Sequence, residues 1–299
     1  MRTQCNVKKA WKENSGFLYI LPSFLLLLIF YLIPLAMTGY FSFTEYSVLK
    51  PPVWSGLENY KKMLADPFFR PAIRNTVIYT LLTVPIQTLL SLWVASVIAS
   101  RFRSRFGRCL KSALFVPVIS SMVLVGTVWR FMLAAKGGII NHVLGWFGMG
   151  SINWLGEYNL ALISVCMVAI WKNVGYFLVI YYAGIMDIPA SLFEAAEVDG
   201  ATRWQKLRYI TIPYLKPITY LVVTLGTIWS FQVFDLVYTM TGGGPGTATI
   251  TMVMSIYQSG FKQYKMGYAS AMSFVLFLIV VVISAVQKKV FSGEERSSK

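Results

Sequence analysis

Six long runs of apolar residues constrain this chain more than any other feature of its sequence. They span about residues 16–41, 73–100, 112–134, 159–184, 217–240 and 267–287. Each run is long enough for the helix of roughly 20 residues that crosses the hydrocarbon core of a bilayer. Because that core offers no hydrogen-bonding partners, the backbone must be satisfied within each run, as it is in a helix. The sequence therefore predicts an all-α integral membrane protein with about six transmembrane helices.

The positions of the basic residues indicate how these helices are oriented. The chain is 56% hydrophobic and 13% charged, with a formal net charge of +15. If the N-terminus is cytoplasmic, the inner segments carry more lysine and arginine than the outer ones. The inner residues are Arg2, Lys8, Lys9, Lys12, Arg101, Arg103, Arg105, Arg108, Lys111, Arg203, Lys206, Arg208, Lys216, Lys288, Lys289, Arg296 and Lys299. This imbalance places both termini in the cytoplasm. Topology and lipid headgroups explain the charge, which argues against a nucleic-acid partner.

We expect one membrane domain, residues 16–290, between a cytoplasmic N-terminal tail, 1–15, and a cytoplasmic C-terminal tail, 291–299. The first apolar run is too long for the core of a signal peptide, so we interpret it as a retained helix. The three cysteines are Cys5, Cys109 and Cys166. They have no metal-ligand spacing and no pair in an outer loop, so we expect neither a metal site nor a disulfide.

The inner loop 185–216 carries the clearest local signals in the chain. Pro189 suits the first turn of a helix, and Ser-Leu-Phe-Glu at 191–194 fits a capping box. Gly200 can end that helix, because glycine adopts the left-handed conformation that helix ends often need. Thr-Arg-Trp-Gln at 202–205 fits a second capping box. The sequence therefore predicts a helix, a turn and a second helix beside the membrane.

The charge of this loop favours a protein partner over a lipid surface. Residues 187–199 contain four acidic residues and no lysine or arginine. The acidic residues are Asp187, Glu194, Glu197 and Asp199. A helix that rests on anionic lipid needs basic residues on its polar face. An acidic face would be repelled there, so we expect it to contact another protein.

The same loop resembles the signature of the membrane subunits of binding-protein-dependent ABC importers. In that signature, Glu-Ala-Ala is followed after three residues by Gly and, nine residues later, by Ile-x-Leu-Pro. This chain has Glu194-Ala195-Ala196, Gly200, Ile210 and Pro213, with Ile212 in place of the leucine. Phe-Asp-Leu-Val-Tyr at 234–238, the glycine-rich stretch 240–246 and Gly-Tyr-Ala-Ser-Ala at 267–271 resemble the maltose-permease-like side of the carbohydrate-uptake branch. The resemblance covers nearly the whole chain.

The resemblance implies a type I ABC importer permease fold in a bacterial cell membrane. It implies import of a sugar or oligosaccharide delivered by an extracytoplasmic binding protein, which would meet the outer loops 42–72, 135–158 and 241–266. It also implies a second, homologous permease subunit and two separate ATPase subunits that bind ATP and Mg. A coupling helix at about 190–205 would insert into a cleft of an ATPase. The implied coupling residues are Glu194, Ala195, Ala196, Asp199, Gly200, Ile210 and Pro213.

The sequence shows no chemistry of its own. It lacks the Gly-x-x-x-x-Gly-Lys-Ser/Thr loop that holds nucleotide phosphates, and no lysine follows the glycine-rich stretch 242–246. Its one histidine, His142, falls in an outer loop and has no partners for a catalytic set. We therefore expect a transport subunit that is not an enzyme and carries no cofactor or metal.

Polar and aromatic residues inside the fourth and fifth apolar runs are the candidates for a substrate path. They are Trp171, Lys172, Asn173, Gly175, Tyr176, Trp229, Ser230, Gln232 and Asp235. Aromatic rings stack on the C–H faces of sugars, while amides and hydroxyls bond the rim. The resemblance implies sugar contacts at Trp171, Asn173, Tyr176, Ser230 and Val233. At about 100° per residue, Trp171 and Asn173 lie about 200° apart. They share one cavity only if the helix is distorted, for instance at Gly175; otherwise two surfaces line the path.

Three alternatives stay open at this point. A permease for glycerol phosphate or another sugar derivative would need basic groups such as Lys172 and Arg130. A self-contained secondary carrier would need an ion relay of buried carboxylates, and Asp235 is the one acid expected well inside a helix. An internal ion pair of Lys172 and Asp235 is an open alternative to a role in the path. A membrane enzyme would need clustered Asp, His or Arg at one membrane face, which only the acidic loop 187–199 approaches.

Overall fold

The computed structural model describes residues 19–101 and 105–297, which are mostly helical. The predicted N-terminal tail, 1–15, lies outside the described residues, and so does Arg103 in the basic inner loop. Residues 291–297 of the predicted C-terminal tail continue the last helix, and the final two residues lie outside the described part.

Within the described residues, four helices are long and apolar enough to cross a bilayer. They are α1, Tyr19–Ser42; α3, Phe69–Arg101; α7, Tyr158–Met186; and α14, Met266–Ser297. They correspond to the first, second, fourth and sixth predicted runs. The shorter elements are β1, Thr44–Ser47; β2, Lys50–Trp54; α2, Glu58–Ala65; α4, Arg105–Ile119; α5, Met122–Met132; α6, Ile139–Trp146; α8, Ala190–Val198; α9, Arg203–Lys206; α10, Ile212–Tyr214; α11, Lys216–Phe231; α12, Asp235–Met240; and α13, Met252–Tyr257. Single π turns occupy Leu28–Leu32, Leu207–Thr211 and Gln258–Lys262.

The third predicted run is a bent pair of helices rather than one straight helix. The axes of α4 and α5 differ by 98° across a short break. Pro117 lies inside α4, near its end, where its ring removes a backbone donor and crowds the preceding turn. Ser121 then precedes α5 with an extended backbone, at φ −58° and ψ 140°. Counted as one span, this pair gives a fifth crossing.

The fifth predicted run, 217–240, is broken into two helices. α11 has 16 residues and ends at Phe231, which is shorter than the roughly 20 residues of a full crossing. α12 then begins at Asp235. At the break, the Val233 carbonyl accepts a hydrogen bond from the Thr251 hydroxyl at 3.1 Å. This side chain takes the place of a helical partner. Six crossings and two cytoplasmic termini therefore stay predictions.

The described residues up to Met63 and Ser259–Val275 form the first of two compact units. In it, β1 and β2 form an antiparallel hairpin with Thr44 opposite Trp54. Asn59 of α2 donates its side-chain amide to the carbonyls of Ser42 and Thr44, at 3.0 and 2.8 Å. These bonds hold the hairpin against the end of α1.

The described residues within 64–258 and 276–297 form the second unit. Its core lies where α3, α7 and α11 pack together. The core residues are Ala95, Ile98, Ala99, Phe177, Leu178, Tyr181, Ile185, Leu215 and Val222. Gly175 lets α4 approach α7 closely, because a Cβ at that position would overlap the Leu114 carbonyl oxygen. Gly184 does the same for the Ile218 side chain.

We predict that Gly175→Ala lowers the thermal stability of the purified protein in detergent. The added methyl group meets backbone, which cannot rotate away, and overpacking of this kind costs about 1–3 kcal/mol. Gly145→Ala is the matched control, because Gly145 lies in α6 and nothing lies within 4 Å of an added Cβ. The control should melt at or above the wild-type temperature. Equal melting temperatures for the two variants would contradict the packing assigned to Gly175.

Candidate functional site

The loop after α7 folds as the predicted helix, turn and helix, with one correction. Pro189 precedes α8 with φ −55° and ψ 129°, and α8 has no side-chain cap. The capping box predicted at 191–194 is therefore wrong. Because the proline ring already fixes φ near the helical value, α8 begins at Ala190 and Ser191 lies inside it. Glu194, the other member of the predicted box, is exposed.

Gly200 ends α8, as predicted. Its φ of +70° lies in the left-handed region, which glycine reaches without the steric cost of a Cβ. The Gly200 amide donates to the Glu197 carbonyl at 3.0 Å, and the Ala201 amide donates to the Ala196 carbonyl at 2.8 Å. These two bonds form a Schellman motif, which satisfies carbonyls that the helix end would otherwise leave free.

The second predicted capping box is confirmed at the start of α9. The backbone N–H of Gln205 donates to the Thr202 hydroxyl at 3.3 Å, and the backbone N–H of Thr202 donates to the Gln205 side-chain oxygen at 2.7 Å. Each residue therefore satisfies a free backbone donor of the other. The turn between α8 and α9 is therefore fixed at both ends, by backbone–backbone bonds in the Schellman motif and by bonds between backbone and side chain in the capping box.

An ion pair joins the two helices of this loop. The Lys206 ammonium lies 2.7 Å from a carboxylate oxygen of Glu197. Through its hydrogen bond and its charge, Lys206 holds the pKa of the Glu197 carboxyl below its ordinary value. The acidic segment is therefore partly neutralised by a lysine that follows it in sequence, which the sequence argument did not foresee. Glu194 and Asp199 are exposed.

The loop also presents apolar side chains to its surroundings. Val198 is 89% exposed and Trp204 is 69% exposed. The predicted coupling residues Glu194, Ala195, Asp199, Gly200 and Pro213 are exposed, whereas Ala196 and Ile210 are partly buried. Tryptophan is enriched in surfaces that bind protein, where a polar rim surrounds an apolar centre. Sequence reasoning missed Val198 and Trp204, although both stand between polar residues on short helices.

The structure separates Trp171 from the other candidates of the fourth run. α7 is continuous through Gly175, so of the two alternatives, a distorted helix or two surfaces, the structure shows two surfaces. Trp171 packs edge-on against Trp129 of α5, with ring centroids 5.3 Å apart. The Asn173 side chain instead donates to the Gln87 side-chain oxygen of α3 at 3.3 Å.

Asn173, Tyr176 and Ser230 come together where α3, α7 and α11 meet. The rings of Tyr176 and Trp229 lie 5.0 Å apart. The Ser230 hydroxyl lies 3.1 Å from the Thr83 hydroxyl of α3. We call this set of residues the polar–aromatic cluster: Thr83, Gln87, Asn173, Tyr176, Trp229 and Ser230.

The remaining path candidates lie at the break after α11. Gln232 is exposed, Val233 is buried, and Asp235 is exposed in the first turn of α12. Asp235 is therefore not well inside a helix, because the predicted helix is broken just before it. Lys172 is buried and donates to the Val118 carbonyl at 3.3 Å. No ion pair joins Lys172 and Asp235, both of which are within the described residues.

The sequence analysis missed a polar stripe along α3. Its buried members are Thr76, Thr80, Thr83, Gln87, Thr88 and Ser91. Most of these residues are three or four positions apart, which places them on one face of a helix. The sequence of the second apolar run contains this spacing, although the hydropathy of the run indicates only a membrane crossing. Burying an unpaired amide or hydroxyl costs about 1–3 kcal/mol. The hydroxyls of Thr76, Thr80, Thr83 and Ser91 each donate to a carbonyl of α3 itself, whereas the Gln87 amide has no such partner and bonds Asn173 of α7.

Residues 53–292 match the family described as "Binding-protein-dependent transport system inner membrane component". The chain belongs to this family. The resemblance seen in the coupling motif is therefore confirmed, and the chain is an inner-membrane transport component. The match covers the second compact unit up to residue 292, including the helix–turn–helix loop and the polar–aromatic cluster.

Several curated relatives are similar to the chain over nearly its full length. The permease protein SmoG of the sulfoquinovosyl glycerol transport system of Agrobacterium fabrum is 34% identical, over 93% of this chain and 90% of SmoG. AraP of the arabinooligosaccharide transport system of Bacillus subtilis is 31% identical, over 95% and 91% of the two chains. The fold is similar to that of a chain of a bacterial ABC transporter that imports the acidic polysaccharide alginate. That structure gives a TM-score of 0.84 at 23% identity and covers 98% of this chain and 99% of the other.

We predict that Lys206→Met raises the pKa of Glu197 toward its ordinary value. A lowered carboxyl pKa means that the ion pair stabilises the loop above the ordinary pKa of glutamate, and that this stabilisation is lost as the pH falls through the lowered value. An NMR titration of ¹³C-labelled glutamate carboxylates measures the pKa directly. Lys136→Met, which removes an exposed lysine elsewhere, should leave it unchanged. A Glu197 pKa that is the same with and without Lys206 would contradict the assignment.

Proposed function

We propose that this chain is the membrane-spanning permease subunit of an ATP-driven importer for a sugar or oligosaccharide. The polar–aromatic cluster carries the proposal. It places amides and hydroxyls on three packed helices beside the paired rings of Tyr176 and Trp229. Neutral donors and acceptors suit sugar hydroxyls, and aromatic faces suit the C–H faces of the ring. An amino acid or a metal ion would require fixed charges instead.

The relatives support a carbohydrate as the solute. Their names refer to sulfoquinovosyl glycerol, to arabinooligosaccharides and, for a MalF protein of Thermococcus litoralis that is 30% identical over 93% of this chain, to trehalose and maltose. These solutes share a sugar ring and differ in size and charge. An extracytoplasmic binding protein would deliver the solute, as the family description implies.

The helix–turn–helix loop is the part we assign to energy coupling. Active import needs a source of energy, and the proposed source is ATP hydrolysis by a pair of separate ATPase subunits that bind ATP and Mg. The exposed Val198 and Trp204 and the acidic Glu194 and Asp199 supply a mixed apolar and charged docking surface. Closure of the ATPases would move this loop, and α7 and α11 on either side of it would move with it. A second, homologous permease subunit would complete the path.

The proposal is tested by purifying the tagged chain from its native membrane. Two ATPase subunits and a second permease should co-purify, and the associated binding protein should be stabilised by a sugar in a thermal-shift screen. The assembled proteins, in liposomes with internal ATP, should then import the radiolabelled sugar. Uptake by this chain without ATPases would overturn the proposal in favour of a secondary carrier.

A negatively charged sugar derivative is the second candidate, and one cavity favours it. The cavity has a volume of about 400 Å³ and is lined by Arg130, Asn153, Thr241 and Gly244, among others. Arg130 forms no ion pair within the described residues, so its guanidinium can bind a phosphate, sulfonate or carboxylate. Glycerol phosphate in the same uptake assay separates the candidates. Arg130→Gln should reduce uptake of the charged solute and leave maltose uptake unchanged.

We predict that Glu194→Lys and Gly200→Pro leave the chain in the membrane but reduce co-purified ATPase about tenfold, or ~1.4 kcal/mol. The first reverses a charge on the docking surface, and the second forbids the left-handed turn that ends α8. Glu157→Lys and Gly148→Pro are matched controls. Glu157 is exposed on another segment, and Gly148 has a φ of +74° with open space around it. Normal ATPase recovery in both loop variants would refute the coupling role.

A further inference from the structure

Gln87 is the one residue of the α3 stripe with an amide side chain. Its side chain is 0% exposed, in the middle of a helix that is apolar enough to cross a membrane. The side-chain oxygen accepts a hydrogen bond from Asn173 at 3.3 Å. The side-chain nitrogen, Nε2, has no hydrogen-bond partner within the described residues. A buried donor in this position is costly, so its presence calls for a functional explanation.

The surroundings of Nε2 show what the amide faces. A Cβ added at Gly226 of α11 would lie 2.6 Å from Nε2, which is too close for a real contact. The amide group of Gln87 fits against α11 because residue 226 is a glycine. The same added Cβ would lie 3.7 Å from the Phe177 ring, which in turn lies 5.6 Å from the Trp229 ring. The unpaired N–H group is therefore held between α7 and α11, beside the aromatic side of the polar–aromatic cluster.

We propose that Gln87 is a sugar-binding residue that donates an Nε2 hydrogen to a sugar hydroxyl during translocation. This inference rests on the proposed function and adds α3 to the helices on which the sequence argument had placed contacts. The chemical class of ligand is a neutral sugar with a free hydroxyl. Gln87 supplies the donor, Asn173 and Ser230 lie on the neighbouring helices, and the paired rings of Tyr176 and Trp229 supply the stacking surface.

The bonds that now join these helices can be exchanged for bonds to a sugar. The Gln87 side-chain oxygen accepts a hydrogen bond from Asn173, and the Thr83 hydroxyl lies within hydrogen-bond distance of the Ser230 hydroxyl. The Thr83 hydroxyl also bonds the Tyr79 carbonyl of its own helix. Replacing one neutral hydrogen bond by another of the same kind changes the free energy little. A passing sugar can therefore separate the helices without leaving their polar groups unpaired. It also gives Nε2 the partner that it lacks here.

Uptake kinetics test the proposal in the reconstituted complex. Gln87→Met keeps the length of the side chain and removes its polar atoms, and should raise the KM for radiolabelled maltose, trehalose or arabinobiose about three- to tenfold. The matched control is Thr80→Val, because the buried Thr80 hydroxyl bonds only the Thr76 carbonyl of its own helix. The control should keep the wild-type KM, and both variants should retain wild-type amounts of ATPase.

Monodeoxy analogues of the transported sugar separate binding from a purely structural role. If Nε2 donates to one hydroxyl, the analogue that lacks this hydroxyl should be transported with the same KM by the wild type and by Gln87→Met. The other analogues should keep the difference between the two proteins. An equal KM for the natural sugar in both proteins, or a difference that persists for every analogue, would overturn the proposal while leaving the proposed function intact.

Thiol labelling tests the position of Gln87 without depending on the sugar. In a variant with Cys5, Cys109 and Cys166 replaced by Ser, Gln87→Cys should resist a water-soluble maleimide in the resting complex. It should react when the ATPases are trapped with ADP and vanadate. Ile98→Cys, on the same helix in the apolar core, should stay unlabelled in both states.

If wild-type protein imports none of the three sugars, the proposed function fails for neutral sugars. Labelling at position 87 then still supports its place in the path, and absence of labelling in both states overturns it.

Discussion

Water is absent from the hydrocarbon core of a bilayer, so each buried polar group must find its partner within the protein. The second compact unit meets this condition in three ways. Continuous helices such as α7 satisfy their own backbone. At the break before Asp235, the Thr251 hydroxyl bonds the Val233 carbonyl. Between α3, α7 and α11, side-chain amides and hydroxyls bond each other. The one amide nitrogen of this cluster without a partner, on Gln87, is where the requirement is relaxed.

Close approach of the helices makes these bonds possible. Gly226 brings the backbone of α11 up to the Gln87 amide, and Gly175 brings α4 up to α7. A small residue at a helix contact lets two backbones approach, and dispersion contacts then add up over the whole interface. Gly226 serves both the packing of α11 and the polar–aromatic cluster, which ties the stability of the bundle to the geometry of the candidate path.

Features that depend on a few neighbouring residues could be predicted from the sequence. Gly200 and the box at Thr202 are local, and both predictions are confirmed. The box at 191–194 failed because Pro189 competes for the same helix start, and a sequence pattern does not rank two adjacent start signals. The four long helices follow from hydropathy alone. The break in the fifth run does not, because it depends on Thr251, a residue that approaches Val233 only in the folded chain.

The candidate path shows the same division. Asn173, Tyr176 and Ser230, which the structure brings together, stand out in the sequence because they are polar or aromatic residues inside apolar runs. The sequence also indicates that Trp171 and Asn173 lie on different faces, since a regular helix turns them about 200° apart. Gln87 and Thr83 do not stand out in the sequence, because the mean hydropathy of the second apolar run indicates only a membrane crossing. Their importance comes from the glycine and the rings opposite them, which lie about 90 residues or more away along the chain.

The fixed turn between α8 and α9 has a mechanical consequence. Its two ends are fastened by the Schellman motif and the capping box, and the pair of Glu197 and Lys206 braces it from the side. A load applied to α8 therefore reaches α9 with little bending at the joint. A π turn and α10 follow α9, and α11 begins after the non-helical Leu215. The 16 residues of α11 span roughly 24 Å at 1.5 Å per residue. Trp229 and Ser230 lie near the end of α11, so under the proposed coupling a displacement of the loop would be passed along this helix to the paired rings of Tyr176 and Trp229.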